Sequence, residues 1–276
     1  MKHFALAAVA FVFLAASVPA RCQTSAVPAD AAPQSAPQAP SSATPFQAQM
    51  YRGSALMDTK DYDQAAQIFA QLTRDDPRNP DAWNMLGVAL QQSGQIIPAR
   101  QAYTRATKLN PKFAEAYNNI GTTWYQEDRY AKAIRTYERA ISADPNLASA
   151  YSNMGCAYFN IKKYDKALAA FSEAITLDPD VFDTTGHAGT ILQDRTVSDH
   201  GAFYFLLAKS YAERNDPATC AEYLRKAFDE GYKSVATVRT DPSFAKVLAD
   251  PGVQAILAKA EASGAVTSTP PSAPPS

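Results

Sequence analysis

Apolar residues recur along this chain at the spacing of a helical face, and the pattern repeats every 34 residues. In the stretch WNMLGVAL, Trp83, Leu86 and Leu90 lie at positions i, i+3 and i+7, which form one face of a helix. Shifts of 34 and 68 residues place equivalent side chains at Tyr117, Ile120, Trp124, Tyr151, Met154 and Tyr158. A pattern that recurs at a fixed period predicts a stack of similar structural units.

Each unit contains a second helical face, so it is predicted to be a pair of antiparallel helices. In the best-formed unit this face consists of Ile96, Ala99, Tyr103 and Ala106, and Ser93-Gly94 separates it from the first helix. The units end in Asp-Pro or Asn-Pro, where proline disfavours helical geometry in the preceding residue. The predicted units are 46–79, 80–113, 114–147 and 148–181.

These positions resemble the tetratricopeptide repeat, with its large aromatic, Leu-Gly and Tyr in the first helix and Ala, Phe/Tyr, Ala and Pro in the second. The resemblance implies an all-α fold, a right-handed α-solenoid whose first helices line a concave groove. It also explains Gly87, a poor helix former, because a glycine there lets the two helices of a pair approach closely. The first unit departs most, with Gln49 at the large-aromatic position.

Beyond the fourth unit the register is interrupted and then resumes. Residues 182–200 form a predicted insertion loop, and 201–234 a fifth, degenerate repeat in which Cys220 replaces a small packing alanine. Asp241-Pro242 and Asp250-Pro251 each look like a helix N-cap followed by proline in the first turn. We therefore expect two short helices within 235–262, forming a C-terminal cap over the open apolar end of the solenoid.

The two ends of the chain carry targeting and spacer patterns. A lysine, an apolar run over 4–18 and small residues before Ala20 predict a signal peptide at 1–22, cleaved near Ala20 or Cys22. The expected location is periplasmic or secreted. A retained anchor or a lipidated Cys22 remain alternatives, although the run is short for a membrane span and Arg21 disfavours lipidation. Segments 23–45 and 263–276 are rich in Pro, Ala and Ser and are predicted to be disordered.

Composition and motifs favour an interaction protein over an enzyme. The formal net charge of −1 provides no general attraction to nucleic acid or to an anionic membrane. We therefore expect no nucleic-acid partner, and membrane association only if the signal or Cys22 is retained as an anchor. No catalytic constellation appears, and no cofactor or metal is expected. The enzyme alternative is a metal site in the insertion, built from His187, His200, Asp183, Asp194 and Asp199, whose spacings match no known ligand pattern. Cys156 and Cys220 are expected to be buried thiols rather than a disulfide.

The resemblance also indicates which side chains face the groove. They include acids and amides but no bases, which argues against a clamp for a C-terminal carboxylate. Asn and Gln offer both donors and acceptors to the backbone of an extended peptide, and aromatic residues add anchors. The predicted partner is a neutral or mildly basic extended segment of another protein, bound by a scaffold of the cell envelope; a membrane-tethered component of envelope assembly or secretion machinery is the alternative. The candidate residues are Asn84, Asn118, Asn119, Tyr125, Ser152, Asn153 and Phe159.

Overall fold

The structure is a computed structural model that describes residues 43–182 and 199–263. All the regular elements in these two ranges are helical. The α-helices are α1 (Pro45–Asp58), α2 (Tyr62–Asp75), α3 (Pro80–Gln92), α4 (Ile96–Leu109), α5 (Ala114–Gln126), α6 (Tyr130–Ala143), α7 (Ala148–Asn160), α8 (Tyr164–Leu177), α9 (His200–Glu213), α10 (Pro217–Asp229), α11 (Val235–Thr240) and α12 (Pro251–Ala262). A 3₁₀ turn, Pro242–Phe244, lies between α11 and α12.

The helices form five consecutive pairs, from α1–α2 to α9–α10, and the partners within each pair pack against each other. From α3 onward, the first helix of each pair also packs against the second helix of the pair before it. This nearest-neighbour arrangement buries apolar surface that no single pair could bury alone. The result is a right-handed α-solenoid with a short helical C-terminal cap, as the repeat pattern predicts.

The same turn joins the two helices in every pair. One residue of each turn has a left-handed backbone, with φ between 58° and 82°: Lys60, Gly94, Asp128, Lys162 and Asn215. The next residue donates its N–H to a carbonyl five residues earlier, as Gln95 does to Leu90 at 2.8 Å. Such bonds satisfy carbonyl groups that a helix end leaves unpaired. Only Gly94 adopts this conformation without a steric cost to a side chain.

A glycine in each of the first four pairs lies against a buried aromatic ring sixteen residues later. A Cβ atom on Gly87 would come within 2.5 Å of the Tyr103 ring, and one on Gly121 within 2.3 Å of the Tyr137 ring. Gly53 and Gly155 have the same relation to Phe69 and Phe171. The expectation that Gly87 permits close approach of paired helices is confirmed.

The first helix begins inside the segment predicted to be disordered. Thr44 caps α1 through a capping box with Gln47, and Pro45 occupies the first turn. Proline suits that position because the N–H it lacks would have no partner in a helix. The disorder prediction is therefore wrong for the end of 23–45, while residues 1–42 lie outside the described ranges.

The fifth pair and the cap also differ from the expected boundaries. His200, assigned to the insertion, is the first residue of α9, and Phe182 packs edge-to-face on Phe171 at 5.4 Å. Asp241 caps a 3₁₀ turn rather than an α-helix, whereas Asp250 does cap α12. Helix α11 has no counterpart in the sequence-based prediction. Its two apolar residues, Val235 and Val238, are buried, but six residues are too few to show a helical period.

Candidate interaction groove

The first helices of the second, third and fourth pairs are joined side by side by a ladder of side-chain hydrogen bonds. Each bond links residues 35 positions apart in adjacent pairs. The amides pair as Asn119 to Asn84 at 3.1 Å, Asn153 to Asn118 at 3.0 Å and Gln91 to Gln126 at 3.0 Å, and Asn160 donates to the Tyr125 hydroxyl at 2.6 Å. Many polar side chains predicted to meet a partner thus already bond to the neighbouring repeat.

Five of the seven candidate residues are buried. Exposed fractions are 7% for Asn118, 2% for Tyr125 and Phe159, and zero for Ser152 and Asn153. These five side chains are enclosed by the protein itself, which corrects their expected exposure, and a role for them in partner binding stays a prediction. Partner contact by the two remaining candidates, Asn84 and Asn119, stays a prediction.

Aromatic packing explains the burial of the two proposed apolar anchors. Phe159 lies edge-to-face with Tyr164 at 5.4 Å and with Phe203 of the fifth pair at 5.7 Å. Tyr125 packs in the same manner against Tyr130 at 5.2 Å. The Tyr125 ring therefore contributes to packing within its own helix pair, and the Phe159 ring to packing within its pair and against the fifth pair.

Asn84 and Asn119 are half-exposed and keep unused hydrogen-bonding capacity. The Nδ2 atom of Asn119 donates to Oδ1 of Asn84. Within the described residues, the Asn84 Nδ2 group and the Asn119 Oδ1 atom make no further hydrogen bond. An amide group can donate two hydrogen bonds and accept two, so this pair presents a donor beside an acceptor. The pair is one part of the ladder that keeps hydrogen-bonding groups available to a partner.

Most of the acidic groove residues have a local structural role. Asp81 and Glu115 lie in the first turns of α3 and α5. A carboxylate there stabilises the helix by interacting with its dipole. These two acids therefore count less towards a basic partner than their position in the groove suggests.

The chain itself covers the groove face of the fifth pair. Tyr232 stacks on Phe205 of α9 at 4.3 Å, and the Lys209 Nζ atom contacts Oδ2 of Asp241 at 2.9 Å. Ser243 donates to Glu213 at 2.9 Å. Burial alone would raise the pKa of Asp241, but hydrogen bonds from Lys209 and Ser243 outweigh it and lower that pKa. Within the described residues, this cover limits the predicted groove to the first four pairs.

The remaining candidate chemistry gives no evidence for a second site. Cys156 and Cys220 are both buried, and burial raises the pKa of Cys220 to about 12. In the described part of the chain, no group of three or more His, Cys, Asp or Glu residues could hold a metal. The proposed ligands Asp183, His187 and Asp194 lie outside it. Among the described helices, none is long and apolar enough to cross a membrane.

Family models match most of the paired helices. The Tetratricopeptide repeat description matches residues 56–123 and 148–181, and the TPR repeat description matches 123–162. Together with the helix pairs, these matches show that residues 56–181 consist of repeats of the tetratricopeptide repeat family. Repeats of this family serve typically as non-catalytic scaffolds for protein–protein interaction. A search of curated proteins finds no match.

Several solved structures are similar to the chain at low sequence identity. PilF of Pseudomonas aeruginosa is 17% identical with a TM-score of 0.51, covering 79% of this chain and 89% of its own. MamA from Desulfovibrio magneticus is 19% identical with a TM-score of 0.47, covering 67% of this chain and 94% of its own. A tetratricopeptide repeat protein of Thermus thermophilus is 17% identical with a TM-score of 0.47, covering 79% of this chain and 99% of its own. The likeness to PilF supports the fold alone.

Proposed function

We propose that this protein is a scaffold that binds an extended segment of another protein along the groove of its first four helix pairs. The observation that supports the proposal is the half-exposed Asn84–Asn119 pair, with one unused donor group and one unused acceptor atom. An extended peptide presents its own N–H and C=O groups at regular intervals, and both need partners when a complex excludes water. The amide pair suits one such peptide unit.

The proposed segment is neutral or mildly basic. The groove positions of the first four pairs contain Asp58, Asp81 and Glu115 and no lysine or arginine. A carboxylate buried there would lose its hydration without gaining a cationic partner. An amide backbone with few acidic side chains avoids that penalty, so acidic segments are the class that the groove disfavours.

The proposed location is the periplasm or the exterior of the cell, since the N-terminal pattern is that of a signal peptide. The alternative is a membrane-tethered component of envelope assembly or secretion machinery, held through Cys22 or a retained apolar segment. Intact-mass measurement of the mature chain separates these. An acyl adduct on Cys22 supports tethering, and a new N-terminus at Arg21 or Gln23 contradicts it.

The binding proposal is tested by selecting ligands from a displayed library of unstructured peptides and measuring their affinity. Asn84→Ala combined with Asn119→Ala should weaken binding roughly ten- to thirtyfold, the loss of about two hydrogen bonds. The matched control is Gln67→Ala with Gln101→Ala, two exposed amides on α2 and α4. The proposal fails if the selected peptides bind both double variants equally well.

A metal-dependent enzyme using the 182–200 insertion is the least supported alternative. Of its proposed ligands, His200 is the first residue of α9 and Asp199 caps that helix by accepting from Ala202 N–H at 2.9 Å. A structural role for Asp199 thus accounts for one of the five residues. Elemental analysis of the purified protein tests the remainder, and stoichiometric bound metal would revive the alternative.

A further inference from the structure

Exposed cations are concentrated on the second helices of the second and third pairs and in the turn after α4, and Arg105 and Arg139 occupy equivalent repeat positions 34 residues apart. The stretch between Asp81 and Glu115 contains four cations and no acid. Three of these cations are exposed, and three more exposed cations follow on α6. We call this set the outer basic face: Arg105, Lys108, Lys112, Lys132, Arg135 and Arg139.

The charge of this face is not neutralised by the protein itself. Within the described residues, none of the six cations forms an ion pair. Lys132 lies over the Trp124 ring at 4.4 Å, and Arg139 contacts the Tyr117 ring and hydroxyl, which leaves both positive charges in place. Glu138 is the one acidic residue on α6. A whole-chain charge of −1 therefore conceals a local excess of positive charge.

The exposed side of α4 has a defined order of side chains. Ile97, Gln101, Arg105 and Lys108 follow one another at i, i+4, i+8 and i+11, which is a single stripe along the helix. Ile97 is 59% exposed, the highest value among the large apolar side chains of the described residues. The stripe thus has one apolar end and a cationic remainder.

We propose that the outer basic face docks reversibly on an anionic lipid surface. Clustered Lys and Arg side chains are attracted to such a surface without needing a pocket, and an exposed isoleucine can enter the boundary between headgroups and acyl chains. A specific protein partner would instead need several aromatic or aliphatic anchors that become fully desolvated. On α4 and α6, which the structure describes in full, Ile97 is the one exposed large apolar side chain. Because the groove is formed by the first helices, lipid docking leaves it free, and the two activities are separable.

The test is co-sedimentation of the full chain with vesicles of phosphatidylglycerol and phosphatidylcholine, compared with vesicles of phosphatidylcholine alone. The variant is Arg105→Glu, Lys108→Glu, Arg135→Glu. Its control is Lys60→Glu, Lys163→Glu, Lys233→Glu, which changes three exposed cations in connecting segments elsewhere and gives the same total charge change. Any contribution of the apolar N-terminal run is common to all three proteins and to both vesicle types.

The wild type should prefer the anionic vesicles, and raising the salt concentration should abolish the preference. The triple variant should lose at least about tenfold of its partitioning, while the control stays within about twofold. Equal binding to the two vesicle types, or an equal loss in the control, would overturn the proposal. The proposal would also be overturned if the triple variant lost binding to the polyanions polyglutamate or DNA but bound the anionic vesicles as well as the wild type does. Circular dichroism establishes that all the variants are folded, and peptide binding in the groove should be unaffected.

Discussion

Replacing Gly121 by alanine tests whether the repeat glycines exist for packing or merely tolerate a helix. The Cβ of an alanine would lie 2.3 Å from Cε1 and 2.6 Å from Cδ1 of Tyr137, well inside ordinary contact distance. Tyr137 is fully buried, so its ring cannot swing into solvent. Helix α5 or helix α6 must therefore move by about an ångström, or the ring must adopt an unfavourable rotamer.

Two opposing effects set the size of the change. Alanine is a better helix former than glycine by about 1 kcal/mol. Overpacking a well-filled core costs about 1–3 kcal/mol, and contact with two ring atoms places this site near the upper end. The expected net result is a loss of about 2 kcal/mol in the free energy of unfolding, measured by urea denaturation.

The fifth pair suggests how the loss can be reversed. There the glycine position is occupied by Ala208, and the residue sixteen positions later is Leu224, both fully buried. In a Tyr137→Leu background, Gly121→Ala should therefore be neutral or stabilising by up to about 1 kcal/mol. The double-mutant cycle isolates the contact from the intrinsic preference for helix. A stabilising Gly121→Ala in the wild type, or a coupling energy near zero, would refute the packing argument.

Three further predictions concern a turn, the cap and the thiols. Gly94→Ala should lower the free energy of unfolding by about 1–2 kcal/mol because of the left-handed backbone alone, since a Cβ atom there meets nothing within 4 Å. Gly94→Asn should destabilise less, and equal losses for the two variants in urea denaturation would contradict this. The Asp241 carboxylate stabilises the cap above its unfolded-state pKa, near 4, because its folded-state pKa is lowered. Stability should fall as the pH drops from about 4 through the folded-state pKa of Asp241. In thermal melts at several pH values, Asp241→Asn should remove this contribution to the pH dependence of stability. An unchanged pH profile in the variant would count against the Lys209 contact. In a Cys22→Ala chain at pH 8, Cys220 should react with Ellman's reagent only after unfolding, because burial raises the pKa of Cys220 to about 12; fast labelling of the folded protein would show that the site is open.

The helix pairs could be read from the sequence because they depend on local spacing and on contacts between neighbouring units. Trp83, Leu86 and Leu90 share a face whatever the next unit does, and Gly87 needs only the ring in its own pair. The helix starts at Pro80 and Pro251 likewise follow from the capping residue before each proline. Regular repetition of the same local signals made the fold predictable.

The candidate groove was harder to predict because exposure depends on the distance between adjacent repeats. Asn118 and Asn84 occupy equivalent positions, yet Asn118 is 7% exposed and Asn84 is half-exposed. Both bond to an asparagine 35 residues later, so the pattern of residues does not distinguish them. The difference lies in the side chains that surround each pair of asparagines.

The sequence by itself determined the repeat, its helix pairs and the glycine contacts, since each of these is local or periodic. Tertiary structure alone decided which polar side chains the stacked helices enclose. It also decided that Asp241 and Ser243 cover α9, and that the exposed cations on α4 and α6 form no ion pair within the described residues. The physical reason is that burial and electrostatic fields depend on side chains brought together from distant parts of the chain.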